Sequence, residues 1–284
     1  MFKDIAFGQY YPTSSFVHNL DPRIKLLLTI LFIVAIFFIQ TYFSFLVTLV
    51  FLIVVILFSR VPVLSVLKSV KGILFLVLFA AIINLFFVST GKVIYEKVIT
   101  DWWTFRITWD GVHNSIKLTL RLIFLITGAS IISLTTTPMR LTDGIESLLK
   151  PLKVIKFPVH DIAIIMSIAL RFIPTLLDET HKIINAQKAR GAAFDTGGLI
   201  KKAKSMLPVL IPLFVSAFRR ADELAFAMDA RCYNATEKRT KMRKLKLSWR
   251  DLIATLFVAG YATFIFIDRY YFLGLDHVLF PGVF

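Results

Sequence analysis

The chain has 284 residues, of which 57% are hydrophobic and 28 are Phe, a usage outside that of a soluble domain. A formal charge of +15 would fit a nucleic-acid binder, but in so apolar a chain basic residues ordinarily mark the cytoplasmic side of a membrane. The single Cys, Cys232, excludes an internal disulfide framework.

In chain order, the first twenty residues carry no apolar core, which argues against a cleavable signal peptide. From Leu26 to Phe58 the chain is apolar almost without interruption except at Gln40, Thr41 and Tyr42. As one helix this stretch would be about 50 Å long, too much for one crossing of a core about 30 Å thick. Two spans turning near Gln40 to Tyr42 are therefore predicted. A third covers 73–88, a fourth 116–137 and a last 252–271. With the N-terminus inside, Lys3, Arg23 and Lys25 face the cytoplasm, as do Arg60, Lys68 and Lys71. The segment 140–250 adds 21 of the 33 basic residues on the same side. Trp102, Trp103 and Trp109 fall in an outer connection, where an aromatic belt is expected. The predicted fold class is an all-α integral membrane protein with five spans and a cytoplasmic domain of long amphipathic helices. Its domains are 1–137 (N-terminal segment and four spans), 138–248 (cytoplasmic) and 249–284 (fifth span and tail).

The cytoplasmic part is too long for a loop. A short helix over about 141–149 stops near Pro151. From Asp161 to Gln187, Ile162, Ile165, Met166, Ala169, Ile173, Leu176, Leu177, Ile183 and Ile184 recur at spacings of three and four, one face of a helix. Arg171, Asp178 and Lys182 project elsewhere. The stretch DTGGL (195–199) breaks the pattern, and a second helical run follows from Ile200 to Asp229, with Pro208 and Pro212 expected to bend it. Its apolar first half is about 13 residues long, too short to span. The basic run 237–246 reads as a stop-transfer flank that attracts anionic lipid.

Catalytic machinery is missing. There is no phosphate-binding G-x-x-x-x-G-K-[ST] loop, no H-E-x-x-H and no Cys pair, and the five His residues lack ligand spacing. The apolar spans hold Arg121 and Asn84 but no carboxylate near mid-membrane, where an ion-coupled transporter would place one. Both long helices end alike, on Ala189-Arg190-Gly191 and Ala230-Arg231-Cys232. One such Arg would merely complement a helix dipole, worth about 0.3–1 kcal/mol. Two, each between small neighbours, point to guanidinium pegs that enter pockets on another protein and make planar, bidentate contacts there.

These residues resemble the transmembrane T component of energy-coupling factor (ECF) transporters, a branch of the ABC importers. GQYYPTSSFVHNLDPRIKLL (8–27) is similar to that family's N-terminal segment, with Gly8, Tyr11, Pro12, Ser15, His18, Leu20, Asp21, Pro22, Arg23 and Lys25 in the expected order. TTTPMRLTDGIESLLKPL (135–152) is similar to the segment leading into the coupling domain. ALRFIPTLLDETHKIINAQKARGA and FRRADELAFAMDARCY resemble the two coupling helices with their X-Arg-X signatures. Cys232 departs from the simplest form of the motif, which has Gly. The resemblance implies a non-catalytic subunit that binds no cofactor itself, ATP and Mg being used by two cytosolic ATPases. Ala189, Arg190, Gly191, Ala230, Arg231 and Cys232 would dock those ATPases. The apolar surface of Ile165, Ala169, Ile173, Leu176, Leu210, Leu213 and Phe214 would cradle a membrane S component that binds a vitamin or metal ion. The setting implied is a prokaryotic plasma membrane. The competing reading is a standalone secondary transporter or channel, which flux by the chain alone would reveal; a membrane enzyme and a nucleic-acid binder rank below it.

Overall fold

The structure, a computed structural model, describes residues 10–87, 93–100, 103–192, 198–233 and 247–271. It is helical: α1 (Pro22–Phe37), α2 (Tyr42–Ser59), α3 (Val63–Phe87), α4 (Trp109–Thr135), α5 (Pro138–Leu149), a 3₁₀ segment (Lys150–Ile155), α6 (Val159–Ala189), α7 (Leu199–Asp229) and α8 (Trp249–Tyr271). Between α3 and α4 lies one antiparallel hairpin, β1 (Val93–Thr100) and β2 (Trp103–Thr108), in a connection read from sequence only as an aromatic belt. Trp102 lies outside the described residues, Trp103 begins β2, and Trp109 opens α4. The basic run 237–246, and residues 195–197 of the predicted break, also lie outside them.

The helix ends have local causes. Asp21 caps α1 by accepting from the Arg23 N–H at 2.9 Å, and Pro22 follows with its backbone angle preset for the first turn. Thr41 and Thr108 cap α2 and α4 by accepting from the Ser44 and Gly111 N–H groups. The turn between α1 and α2 falls at Phe38 to Thr41, where the sequence pattern put it.

The chain divides into two compact units. The first holds α1–α5, the hairpin and α8. Its core joins α1, α2, α4 and α8 through Phe32, Ala35, Ile36, Ile39, Phe45, Phe51, Phe124, Ile131, Tyr261 and Ile265. Phe51 stacks between Tyr261 (centroids 4.2 Å apart) and Phe257 (5.2 Å), with Phe32 stacked on it at 5.6 Å. α3 packs along α4 and buries little else; Phe75 is 83% and Phe87 78% exposed, as lipid-facing side chains would be. α5 packs on α1.

The N-terminal segment ties helix ends together in this unit. Tyr11 N–H donates to the Leu134 carbonyl at 2.9 Å. His18 Nε2 donates to the Tyr11 carbonyl at 3.0 Å, so Nδ1 accepts from Ser15 Oγ at 2.7 Å. Burial pushes the His18 imidazole below its ordinary value, with Lys25 and Arg140 adding to the effect and the Tyr11 carbonyl opposing it. Lys25 Nζ donates to the Thr135 carbonyl at 3.0 Å and to Thr136 Oγ1 at 3.0 Å, satisfying the C-terminal end of α4. Asp251 in the first turn of α8 accepts from the Asp21 and Ser248 N–H groups, each at 2.7 Å. Residues 11, 18, 21 and 25 thus act structurally.

Five helices are long and apolar enough to cross a membrane: α2, α3, α4, α6 and α8. The number matches the sequence reading, but the membership differs. α1 has 16 residues, about 24 Å, and falls short by length; α6 qualifies because its first half carries few charges.

The second unit holds the 3₁₀ segment, α6 and α7. Both helices continue through prolines, Pro174 in α6 and Pro208 and Pro212 in α7.

Candidate partner-docking site

α6 and α7 run antiparallel. Gln187 near the end of α6 reaches the Pro208 carbonyl at 3.5 Å. Further along, Glu179 meets Ser216 and Arg220. Ile168 and Phe172 then face Leu224, Met228 and Tyr233 across a cavity of about 390 Å³. Arg190 and Arg231 therefore stand at opposite ends of the pair, each exposed to solvent.

The two arginines share one backbone geometry. At the end of α6, the Gly191 N–H donates to the Lys188 carbonyl at 3.0 Å and the Ala192 N–H to the Gln187 carbonyl at 3.0 Å. At the end of α7, the Cys232 N–H donates to the Asp229 carbonyl at 2.9 Å and the Tyr233 N–H to the Met228 carbonyl at 3.1 Å. Both are Schellman turns, with the arginine last before a left-handed residue. That residue has φ +87° at Gly191 and +52° at Cys232. The small neighbours read from sequence as clearance for a guanidinium thus have a backbone cause on one side: the residue after each arginine must turn left-handed. Nothing lies within 4 Å of where a Cβ on Gly191 would stand. Ala189 and Ala230, on the other side, are exposed. Each guanidinium is therefore exposed at a hydrogen-bonded corner and can receive a carboxylate from outside.

The apolar positions named from periodicity do not share one surface. Ile165 (64% exposed), Ala169, Ile173, Leu210 and Phe214 are exposed, whereas Leu176 faces the cavity between α6 and α7 and Leu213 is half-buried. On α7 the exposed apolar stripe extends further, through Leu207, Ile211, Val215 and Phe218, with Phe214 and Phe218 stacked at 6.4 Å. An exposed apolar stripe of this length on a helix with little burial is a candidate contact surface.

Among the described residues no cluster of His, Cys, Asp and Glu could hold a metal ion. The carboxylate that sequence reading passed over is Asp268 in α8. It is 4% exposed and accepts from Thr41 Oγ1 at 2.5 Å and from Ser44 Oγ. Its position near the end of an apolar helix hid it, because the hydroxyls that satisfy it come from the distant α1–α2 turn. Arg121, the cation noted in α4, donates to the Ile39 carbonyl at 2.6 Å on the same turn.

Comparison with known proteins bears on the whole chain. Residues 13–242 match the family described as CbiQ, cobalt transport protein. The chain is 50% identical over 272 residues to the energy-coupling factor transporter transmembrane protein EcfT of Ruminiclostridium cellulolyticum, covering 96% of this chain and all of that protein. It is 48% identical over 257 residues to the EcfT of Clostridium kluyveri, covering 90% of this chain and 93% of the relative. With the EcfT of Staphylococcus aureus it shares 41% over 266 residues, covering 94% and 97%.

Proposed function

The chain belongs to the CbiQ cobalt transport family, among the transmembrane components of energy-coupling factor transporters, and from that premise we propose that it transmits the closing of two cytosolic ATPases to a substrate-binding membrane S component. The observation that carries this reading is the pair of matched turns, which present Arg190 and Arg231 at opposite ends of one antiparallel helix pair. Two matched corners at opposite ends of the pair suit two ATPases, one socket each. ATP and Mg belong to those partners. The exposed apolar residues of α6 and α7, Ile165, Ile173, Leu210 and Phe214 among them, form the seat of the S component.

The S component sets the substrate, and a vitamin or a metal ion such as the cobalt of the family's description fits this role. Uptake is into a prokaryotic cell, with the N-terminus and the α6–α7 unit on the cytoplasmic side. α6 does not cross the membrane in this reading. Its apolar half lies along the half of α7 that carries Arg219, Arg220, Asp222 and Glu223, and burying those charges would cost roughly 2.5–3.5 kcal/mol or more apiece. α1 crosses instead, since the tight turns at Phe38 and Ile39 extend its rod to about 27 Å.

The single cysteine tests both parts of this reading. In the chain expressed without its partners, a membrane-impermeant maleimide should label the exposed Cys232 in inside-out vesicles and not in intact cells. Adding the ATPase pair should protect Cys232, and Arg231→Glu should abolish the protection. Labelling from outside would reverse the topology; unchanged labelling with the ATPases bound would remove Arg231 from the interface.

A further inference from the structure

Halfway between the two arginines, α6 and α7 are joined by a polar contact. Glu179 uses both carboxylate oxygens: Ser216 Oγ donates to Oε1, and Arg220 Nη2 donates to Oε2 at 2.7 Å. Ser216 and Arg220 are one turn apart on α7, so a single carboxylate reads both the rotation and the axial position of that helix. Elsewhere the interface is loosely keyed. Ala217, Ala221 and Ala225 face Ile168, Phe172 and Leu176 across the cavity, leaving few interlocking side chains. Among the described residues of the two helices, only Val159, Ala163 and Val209 are buried hydrophobics. An apolar surface of this kind permits several registers; the carboxylate selects one.

Its position has a symmetry. Glu179 precedes Arg190 by eleven residues, and Arg220 precedes Arg231 by eleven. The helices being antiparallel, the contact sits at the middle, with an arm of about 16 Å leading to each arginine. We propose that Glu179, Ser216 and Arg220 are positioning residues: a clasp that fixes the spacing of the two arginine pegs so that one ATPase pair engages both at once. The proposal rests on the docking function above. Two pegs on a spacer of defined length make the second engagement intramolecular, and that gain is lost when the spacing wanders. The two side chains are 24% and 32% exposed, so the pair itself contributes little to stability. A clasp of that kind holds a register and still yields when the ATPases move.

The test is the affinity of the solubilised chain for its ATPase pair. Glu179→Arg or Arg220→Glu alone should weaken binding about fivefold, a small part of the roughly 10²–10⁴ that two-site engagement can contribute. The double exchange, Glu179→Arg with Arg220→Glu, should restore it. In an Arg231→Glu background, where a single peg remains, breaking the clasp should change affinity by less than about twofold, because no second engagement is left to lose. Wild-type affinity in both single variants, failure of the exchange to restore binding, or an undiminished effect in the one-peg background would each overturn the clasp. An unchanged affinity for Arg231→Glu itself would overturn the docking reading and the clasp together. A loss there, with unaltered clasp variants, overturns the clasp only.

Discussion

At residue 232 a cysteine holds a left-handed backbone that glycine holds at the matching position 191, with φ +52° and +87° respectively. Such a conformation costs a residue bearing a Cβ about 1–2 kcal/mol. Glycine gives back about 0.4–1 kcal/mol of this through its greater freedom in the unfolded chain. Cys232→Gly should therefore stabilise the end of α7 by up to about 1.6 kcal/mol, and Gly191→Ala should weaken the end of α6 by a similar amount. Hydrogen exchange at the amides of residues 191, 192, 232 and 233, whose bonds close the two turns, would show slower exchange in the first variant and faster in the second. The same rates in both variants and the parent would mean the turns are not strained as described. That both arginines close a helix was recognisable from their place at the end of an apolar pattern and from its repetition. The left-handed residue beside each was read only as a small side chain, since a backbone angle leaves no mark on hydropathy.

Among the elements, the contact of α1 with α4 turns on one glycine. A Cβ at Gly128 would stand 2.1 Å from Cε1 of Phe32, whose ring is held by Phe51 and Tyr261 and cannot easily swing aside. Gly128→Ala should destabilise the first unit by about 1–3 kcal/mol, and Phe32→Leu in the same chain should recover part of the loss by making room. Thermal unfolding in detergent would measure both; an unperturbed Gly128→Ala variant would show that α1 and α4 do not meet as described. The long helices were legible because long apolar runs and a 3.6-residue period survive in a single sequence. The turn at Phe38 to Thr41 was legible too, since Gln40 and Thr41 interrupt the apolar run. The β hairpin was missed because the aromatic residues of 101–109 suit a membrane interface as well as a strand. Asp268 was missed because its partners are supplied by tertiary structure: Thr41 and Ser44 lie more than two hundred residues away in sequence. Leu176 was placed on an outward face because period alone does not distinguish a side chain facing α7 from one facing another protein.

For the molecule as a whole, the role proposed for this transmembrane ECF component is that of a transmission. One unit is a helical membrane core pinned at one end by Lys25, Asp251 and the N-terminal segment; the other is an antiparallel helix pair with a guanidinium at either end and a greasy stripe along α7. Losing a charged anchor from an interface typically costs 2–5 kcal/mol or more, and an ammonium lacks the planar fork that suits such a socket, so Arg→Lys at either peg should be an intermediate case. The most direct test is ATP-driven substrate uptake by the complete complex in proteoliposomes, wild type against the Arg190→Glu, Arg231→Glu double variant, with liposomes holding this chain alone alongside. Uptake in the double variant is predicted to fall to the level seen without ATP, and the chain alone to move nothing; wild-type uptake from the double variant, or flux through the chain by itself, would contradict it.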